Sequence, residues 1–141
     1  MKKVFLDTNF IMDLLVRGPK YSIEAKKVLD EGTIKDYHFY VSFLSIANFA
    51  YINRKVEKNR LRENIELICD LFHVIPNDKS NLIQAWDYEP QDYEDAIQYS
   101  CALSNKCDCI ITRNKQDFYF SQIPIFTPEE FINSEFTTEH T

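Results

Sequence analysis

Four carboxylates stand where this chain changes from one kind of segment to another. Asp7 follows the apolar run at residues 4–6, Asp92 and Asp95 open an amphipathic stretch, and Asp117 lies in a polar loop after the run at residues 107–112. Two carboxylates about 4 Å apart repel by about 4 kcal/mol at an effective dielectric of 20, so gathered acids need bound cations or raised pKa values. Hard oxygen ligands of this kind select magnesium or manganese. Such a metal activates a water and neutralises the charge that develops on a phosphate during in-line displacement, which suits these residues to phosphodiester hydrolysis. Plainer roles compete with this one. Asp7 fits the cap of the helix behind it, worth about 1 kcal/mol. Asp92, with Asp95 three residues on, has the spacing of a capping box. Asp13, further along the first helix, is expected at the surface.

Other chemistries lack their residues. His38, His73 and His140 are scattered and none sits beside a nucleophile motif, so a Ser-His-Asp hydrolase is not indicated. Aspartyl-phosphate chemistry of the haloacid dehalogenase type expects a second Asp two residues after the first, and that place holds Asn9. Cys107 and Cys109 have no second Cys or His pair to complete a zinc site. With only two glycines, the chain has no Gly-rich phosphate loop. A net charge of -6 argues against a protein that coats DNA, yet leaves a nuclease open, because bound metals neutralise an acidic site. Arg54, Lys55, Lys58, Arg60 and Arg62 form the one basic cluster. It reads either as a solvated helix connection or as a phosphate-contacting edge, with Arg54, Lys58 and Arg62 as the candidates for that contact.

The elements that must position these acids alternate between strand and helix. An apolar strand near residues 3–6 has the pattern of a strand buried on both faces, central in a parallel sheet. Helical spacing follows at residues 10–16 and again at 23–31, where Gly32 is expected to end the helix. Residues 38–41 read as a strand, and Ser42 as the cap of a helix through residue 55 whose apolar residues wrap most of the cylinder and predict burial. Helices at 61–71, 80–86 and 92–103, strands at 72–75, 107–112 and 124–126, and a helix from Pro128 to about residue 133 complete the reading. This alternation predicts a three-layer α/β/α sandwich with a mainly parallel central sheet. Its carboxyl edge collects Asp7, the Ser42 region and the loop at residues 112–117, and Asp95 joins them if its helix starts at that edge.

A length of 141 residues and 45% apolar composition fit one domain, residues 1–134, with a polar tail at 135–141. Asp7 and Asp13 interrupt any secretory core and no apolar run reaches membrane-spanning length, so a cytoplasmic location with reduced core thiols is expected.

The segments VFLDTN at residues 4–9, VSFLSIANFAYI at 41–52 and DYEDAIQYSCALSNKCDCIITRNKQDF at 92–118 together resemble the PIN domain, the metal-dependent ribonuclease fold of many bacterial toxin-antitoxin toxins. The resemblance spans nearly the whole chain. It implies that Asp7 and Asp95 are metal-binding, catalytic acids, with Asn114 or Asp117 at the last acidic position. It makes Thr8, Asn9 and Thr112 polar supports, with Asp92 beside them. It implies a Mg2+ or Mn2+ cofactor, single-stranded RNA as substrate and an antitoxin protein as partner, and leaves open whether the chain forms a homodimer. The family commonly has Glu where this chain has Asn48 and Asp where it has Asn114. An amide offers a metal its carbonyl oxygen without charge. A second reading therefore stands beside the nuclease: a catalytically weakened or inactive PIN-like binding module.

Overall fold

Val4, Phe5 and Leu6 are each 0% exposed in the computed structural model, which describes residues 2–133. They form β1 (Lys3–Leu6), and its unbroken apolar run reflects two covered faces rather than one. β1 pairs in parallel with β2 (His38–Ser42) on one side and with β4 (Cys109–Ile111) on the other. Beyond them lie β3 (His73–Ile75) and β5 (Ile125–Phe126), giving the parallel order β3-β2-β1-β4-β5. Val4 stands opposite both Phe39 and Cys109, and this register brings Leu6 beside Ile111. Asp7 and Thr112 consequently emerge together where these two strands end.

Parallel neighbours need crossover connections, and helices supply them. In chain order these are α1 (Thr8–Leu15), α2 (Pro19–Ile34), α3 (Phe43–Ile52), α4 (Lys58–Leu71), α5 (Lys79–Gln84), α6 (Tyr93–Ser104) and α7 (Pro128–Asn133). Single 3-10 turns lie at Ala85–Tyr88 and Lys115–Phe118. Strand alternation divides the core. Val4 and Leu6 pack with Ile11 of α1, Val28 of α2, Ile68 of α4 and Phe131 of α7, while Phe5 packs with Tyr99, Cys101 and Ala102 of α6. Helices thus cover both faces of the sheet, as the alternation of the sequence predicts.

Three local readings are corrected. Gly32 does not end α2; it lies inside the helix, buried, where an added methyl would overlap the Phe39 ring. Close packing of helix on strand, not a left-handed turn, explains the glycine. α3 is less buried than its apolar circumference predicts: Ser45 and Phe49 are buried, but Phe43, Tyr51 and Ile52 are 66%, 66% and 54% exposed. One domain covers only one side of such a helix. Cys69 is exposed, whereas Cys101, Cys107 and Cys109 are core thiols, and all four are free. Burial pushes the Cys107 thiol up to about 12, which keeps it protonated and inert.

The tail expected at 135–141 lies outside the described residues. Among the described residues no helix is long and apolar enough to cross a membrane.

Candidate functional site

Asp7 performs the plain role and a second one at once. It is the N-cap of α1, its Oδ1 accepting from the Phe10 backbone N–H at 3.0 Å. Its Oδ2 accepts from the Thr112 hydroxyl at 2.7 Å, a contact between residues 105 apart in sequence. The Thr112 oxygen in turn accepts from the Asn114 N–H at 3.1 Å, so one hydroxyl ties β1, β4 and the loop beyond β4. Asp7 is 5% exposed. Burial pushes its pKa up to about 6; the Thr112 and Phe10 hydrogen bonds pull it down, Asp13 pushes it further up and Arg113 pulls it down. A cap alone would sit in water and ionise normally.

Beside Asp7 lies a closed polar hub that sequence patterning does not reveal. The Ser42 hydroxyl caps α3 by accepting from the Ser45 N–H and donates to Gln98 Oε1 at 2.6 Å. Gln98 Nε2 donates to the Ser45 hydroxyl at 2.7 Å, and Thr8 donates to the same oxygen at 3.2 Å. Ser42, Ser45 and Gln98 are buried, so these bonds satisfy groups that would otherwise cost about 1–3 kcal/mol each to leave unpaired. The hub fixes α3 against α6. One turn further along α3 from Ser45, and one turn back along α6 from Gln98, Asn48 donates to Glu94 Oε1 at 2.6 Å.

Glu94 is the acid that the sequence reading missed. It lies beside Asp95 in the first turn of α6, which Asp92 caps by accepting from the Asp95 N–H at 3.2 Å. The reciprocal half of a capping box is not among the cap contacts there, and the Asp95 carboxyl instead feels the neighbouring acids. Burial pushes the Asp95 pKa up to about 7, and Asp92, Asp117, Asp7 and Glu94 each push it further up. Glu94 is also raised, by burial and by Asp92 and Asp7, against the Asn48 hydrogen bond. Asp7, Asp92, Glu94, Asp95 and Asp117 therefore share one electrostatic field, which Arg113 offsets in part at Asp7. In these rotamers the carboxylates do not close around a point: among the described residues no three His, Cys, Asp or Glu side chains could together hold a metal. The donor chemistry fits a hard divalent cation, since anionic oxygens with raised pKa values gain most from a neutralising charge.

The remaining candidates take varied places. The Asn9 side chain is engaged by Arg17, from which its Oδ1 accepts at 2.9 Å. Asn114 precedes the 3-10 turn that carries Asp117, whose N–H donates to the Asn114 carbonyl at 3.0 Å. Asp13, expected at the surface, is only 5% exposed and is paired with Arg17 and Arg113. Of the basic cluster, Arg54 stacks on the Tyr51 ring, Arg62 pairs with Glu66, and Lys58 opens α4 in solvent.

Comparison with known proteins agrees with this fold. A family model described as PIN domain matches residues 3–116. The chain is 28% identical over 138 residues to Ribonuclease VapC1 of Aquifex aeolicus, covering 92% of this chain and 93% of the relative. Among solved structures, it resembles VapBC2 from Rickettsia felis bound to a promoter DNA fragment, with TM-score 0.73 at 13% identity, covering 89% of this chain and 98% of that one. It resembles VapBC-1 from nontypeable Haemophilus influenzae with TM-score 0.69 at 18% identity, covering 90% and 98%.

Proposed function

Because the chain belongs to the PIN-domain family, we propose that it is a divalent-metal-dependent endonuclease of single-stranded RNA, the toxin of a toxin-antitoxin pair. One observation carries the reading. A buried Asp7 carboxyl, held by Thr112 and the Phe10 N–H, lies in the same field as Asp95, Glu94 and Asp117. The relative named Ribonuclease VapC1 and the solved VapBC assemblies support substrate and partner class.

Asp7 and Asp95 would hold the ion, Mg2+ or Mn2+, with Asn48, Asn114 and Asp117 lining the same cleft. Bound there, the ion would supply an activated water and a Lewis acid for the phosphate. The chain's own contribution is positional. Thr112 fixes the Asp7 rotamer, the hub at Thr8, Ser45 and Gln98 fixes α6 and so Asp95, and Asn48 restrains Glu94. Arg54, Lys58 and Arg62 form an outlying edge for RNA phosphates. The exposed apolar residues of α3 support a homodimer contact, and a mainly apolar groove lined by Leu14, Leu15, Leu29, Leu67 and Leu71 together with Lys26 supports docking of an antitoxin segment. A cytoplasmic location follows from this role.

Cleavage of a labelled single-stranded RNA with Mn2+, abolished by chelator and reduced at least about 100-fold in Asp95→Asn, is the expected result. Wild-type cleavage by that variant, or cleavage indifferent to chelator, sinks the reading. The second reading, a binding module, draws on the Asn48–Glu94 bond and the open rotamers of the acids. It expects RNA bound but uncut.

A further inference from the structure

Asp13 lies on α1 beyond Asp7 and is buried, so its charge needs a partner. One bidentate guanidinium would suffice. It has two: Arg17 NH1 at 2.9 Å from Oδ1, and Arg113 with Nε at 2.9 Å from Oδ2 and NH2 at 3.0 Å from Oδ1. The trio therefore carries a surplus positive charge in a chain whose net charge is -6.

Both guanidiniums are fixed before any ligand arrives. Arg113 is also stacked over the Tyr21 ring, 4.7 Å from its centroid, and Arg17 NH2 donates to Asn9 Oδ1 at 2.9 Å. Each remains about a third exposed, with side chains 36% and 31% accessible. A guanidinium has five N–H donors, and those not given to Asp13 or Asn9 have no partner among the described residues. The pair adjoins the acids. Arg113 directly follows Thr112, whose hydroxyl holds Asp7, and Arg17 is anchored on Asn9, two residues after Asp7.

We propose that Arg113 and Arg17, preset by Asp13, form a clamp for a backbone phosphate of RNA next to the one that is cut. The proposal rests on the ribonuclease reading and names where its substrate is held. A planar fork with free donors matches a phosphate in a bidentate way, and its prior fixation lowers the ordering cost of binding. Exposed lysines elsewhere on the surface would pay that cost in full.

The test uses the full chain in an Asp95→Asn background, so that bound RNA stays intact, and a fluorescent single-stranded RNA titrated between 50 and 200 mM salt. Arg113→Gln should weaken binding by about tenfold and lower the slope of log affinity against log salt by about 0.7, the loss of one phosphate contact. Because Arg113→Gln alone removes a partner from buried Asp13, the double variant Asp13→Asn/Arg113→Gln carries the same measurement in a neutralised core. Arg113→Lys keeps the charge but not the fork, and should keep the slope while losing affinity. A folded double variant with the parent's affinity and slope overturns the clamp, and so does an Arg113→Lys variant that binds as tightly as the parent. A parent that shows no salt-dependent RNA binding overturns the ribonuclease reading itself, and the clamp with it.

Discussion

Replacing Asp7 by Asn should stabilise the metal-free protein at alkaline pH while destroying its activity. The carboxyl is 5% exposed, and burial raises its pKa from 3.8 to about 6. That difference of about two units, at about 1.4 kcal/mol each, sets an upper bound near 3 kcal/mol on the cost of holding the charge in the folded state. The sign follows from linkage. A carboxyl whose pKa is raised on folding contributes stability below pH 3.8, and that contribution is lost as pH rises through about 6. Asn cannot ionise, and its amide spans the same positions: Oδ1 accepts from the Phe10 N–H, and Nδ2 donates to the Thr112 oxygen, reversing the bond that Thr112 now donates, as a protonated Asp7 carboxyl can also do. We expect the variant's advantage to be absent near pH 4, to grow to about 2 kcal/mol by pH 8, and to appear as a rise of about 6 °C in Tm. Saturating Mn2+ should reverse the order, because a ligand at 100 times its Kd adds about 2.7 kcal/mol to the protein that binds it. Thermal unfolding at pH 4, 6 and 8, with and without Mn2+, reads all of this. A variant less stable than wild type at pH 8 without metal, or a difference that ignores pH, would refute the reasoning.

Asn48→Glu places a second carboxylate against Glu94, where the amide now donates at 2.6 Å. It should lower the metal-free Tm by several degrees and raise the gain on adding Mn2+, measured in the same melts; a gain no larger than wild type's would show that residue 48 does not meet the ion. Gly32→Ala should cost about 1–3 kcal/mol in urea unfolding because its methyl overlaps the Phe39 ring, outweighing the helix preference of alanine of about 1 kcal/mol. A more stable variant would mean that the ring yields easily.

The parts of this molecule legible in its sequence are those determined within a few residues. The buried run of β1, the caps Asp7, Ser42 and Asp92, and the alternation of strand and helix all declare themselves through local patterns. Much of what went unread depends on partners in other elements. Asp13 looks like a surface acid until Arg113, 100 residues away, closes on it. Ser45 and Gln98 meet across 53 residues, and neither hydroxyl nor amide has a periodicity that marks it as buried. Gly32 has the signature of a helix end, and only the Phe39 ring from β2 explains its place inside α2. The apolar circumference of α3 states that the helix wants cover, not that this chain provides it on one side alone. Glu94 was hidden by its neighbours, since the acid beside two helix-opening aspartates reads as ordinary first-turn charge.

The position of β4 between β1 and β5 also sets a timetable for synthesis. β1 leaves the ribosome first, but the Thr112 hydroxyl that fixes Asp7 belongs to a strand made more than 100 residues later. At roughly 5–20 residues per second, translation separates the two by on the order of ten seconds. During that interval β1 can pair with β2, while its other edge remains open and Asp7 lacks its partner. Asp7 therefore gains its Thr112 partner only after residues 109–112 have emerged and slotted in beside β1. A stop codon or ribosomal stall anywhere upstream yields a fragment that carries Asp7 but not the strand and hydroxyl that hold it.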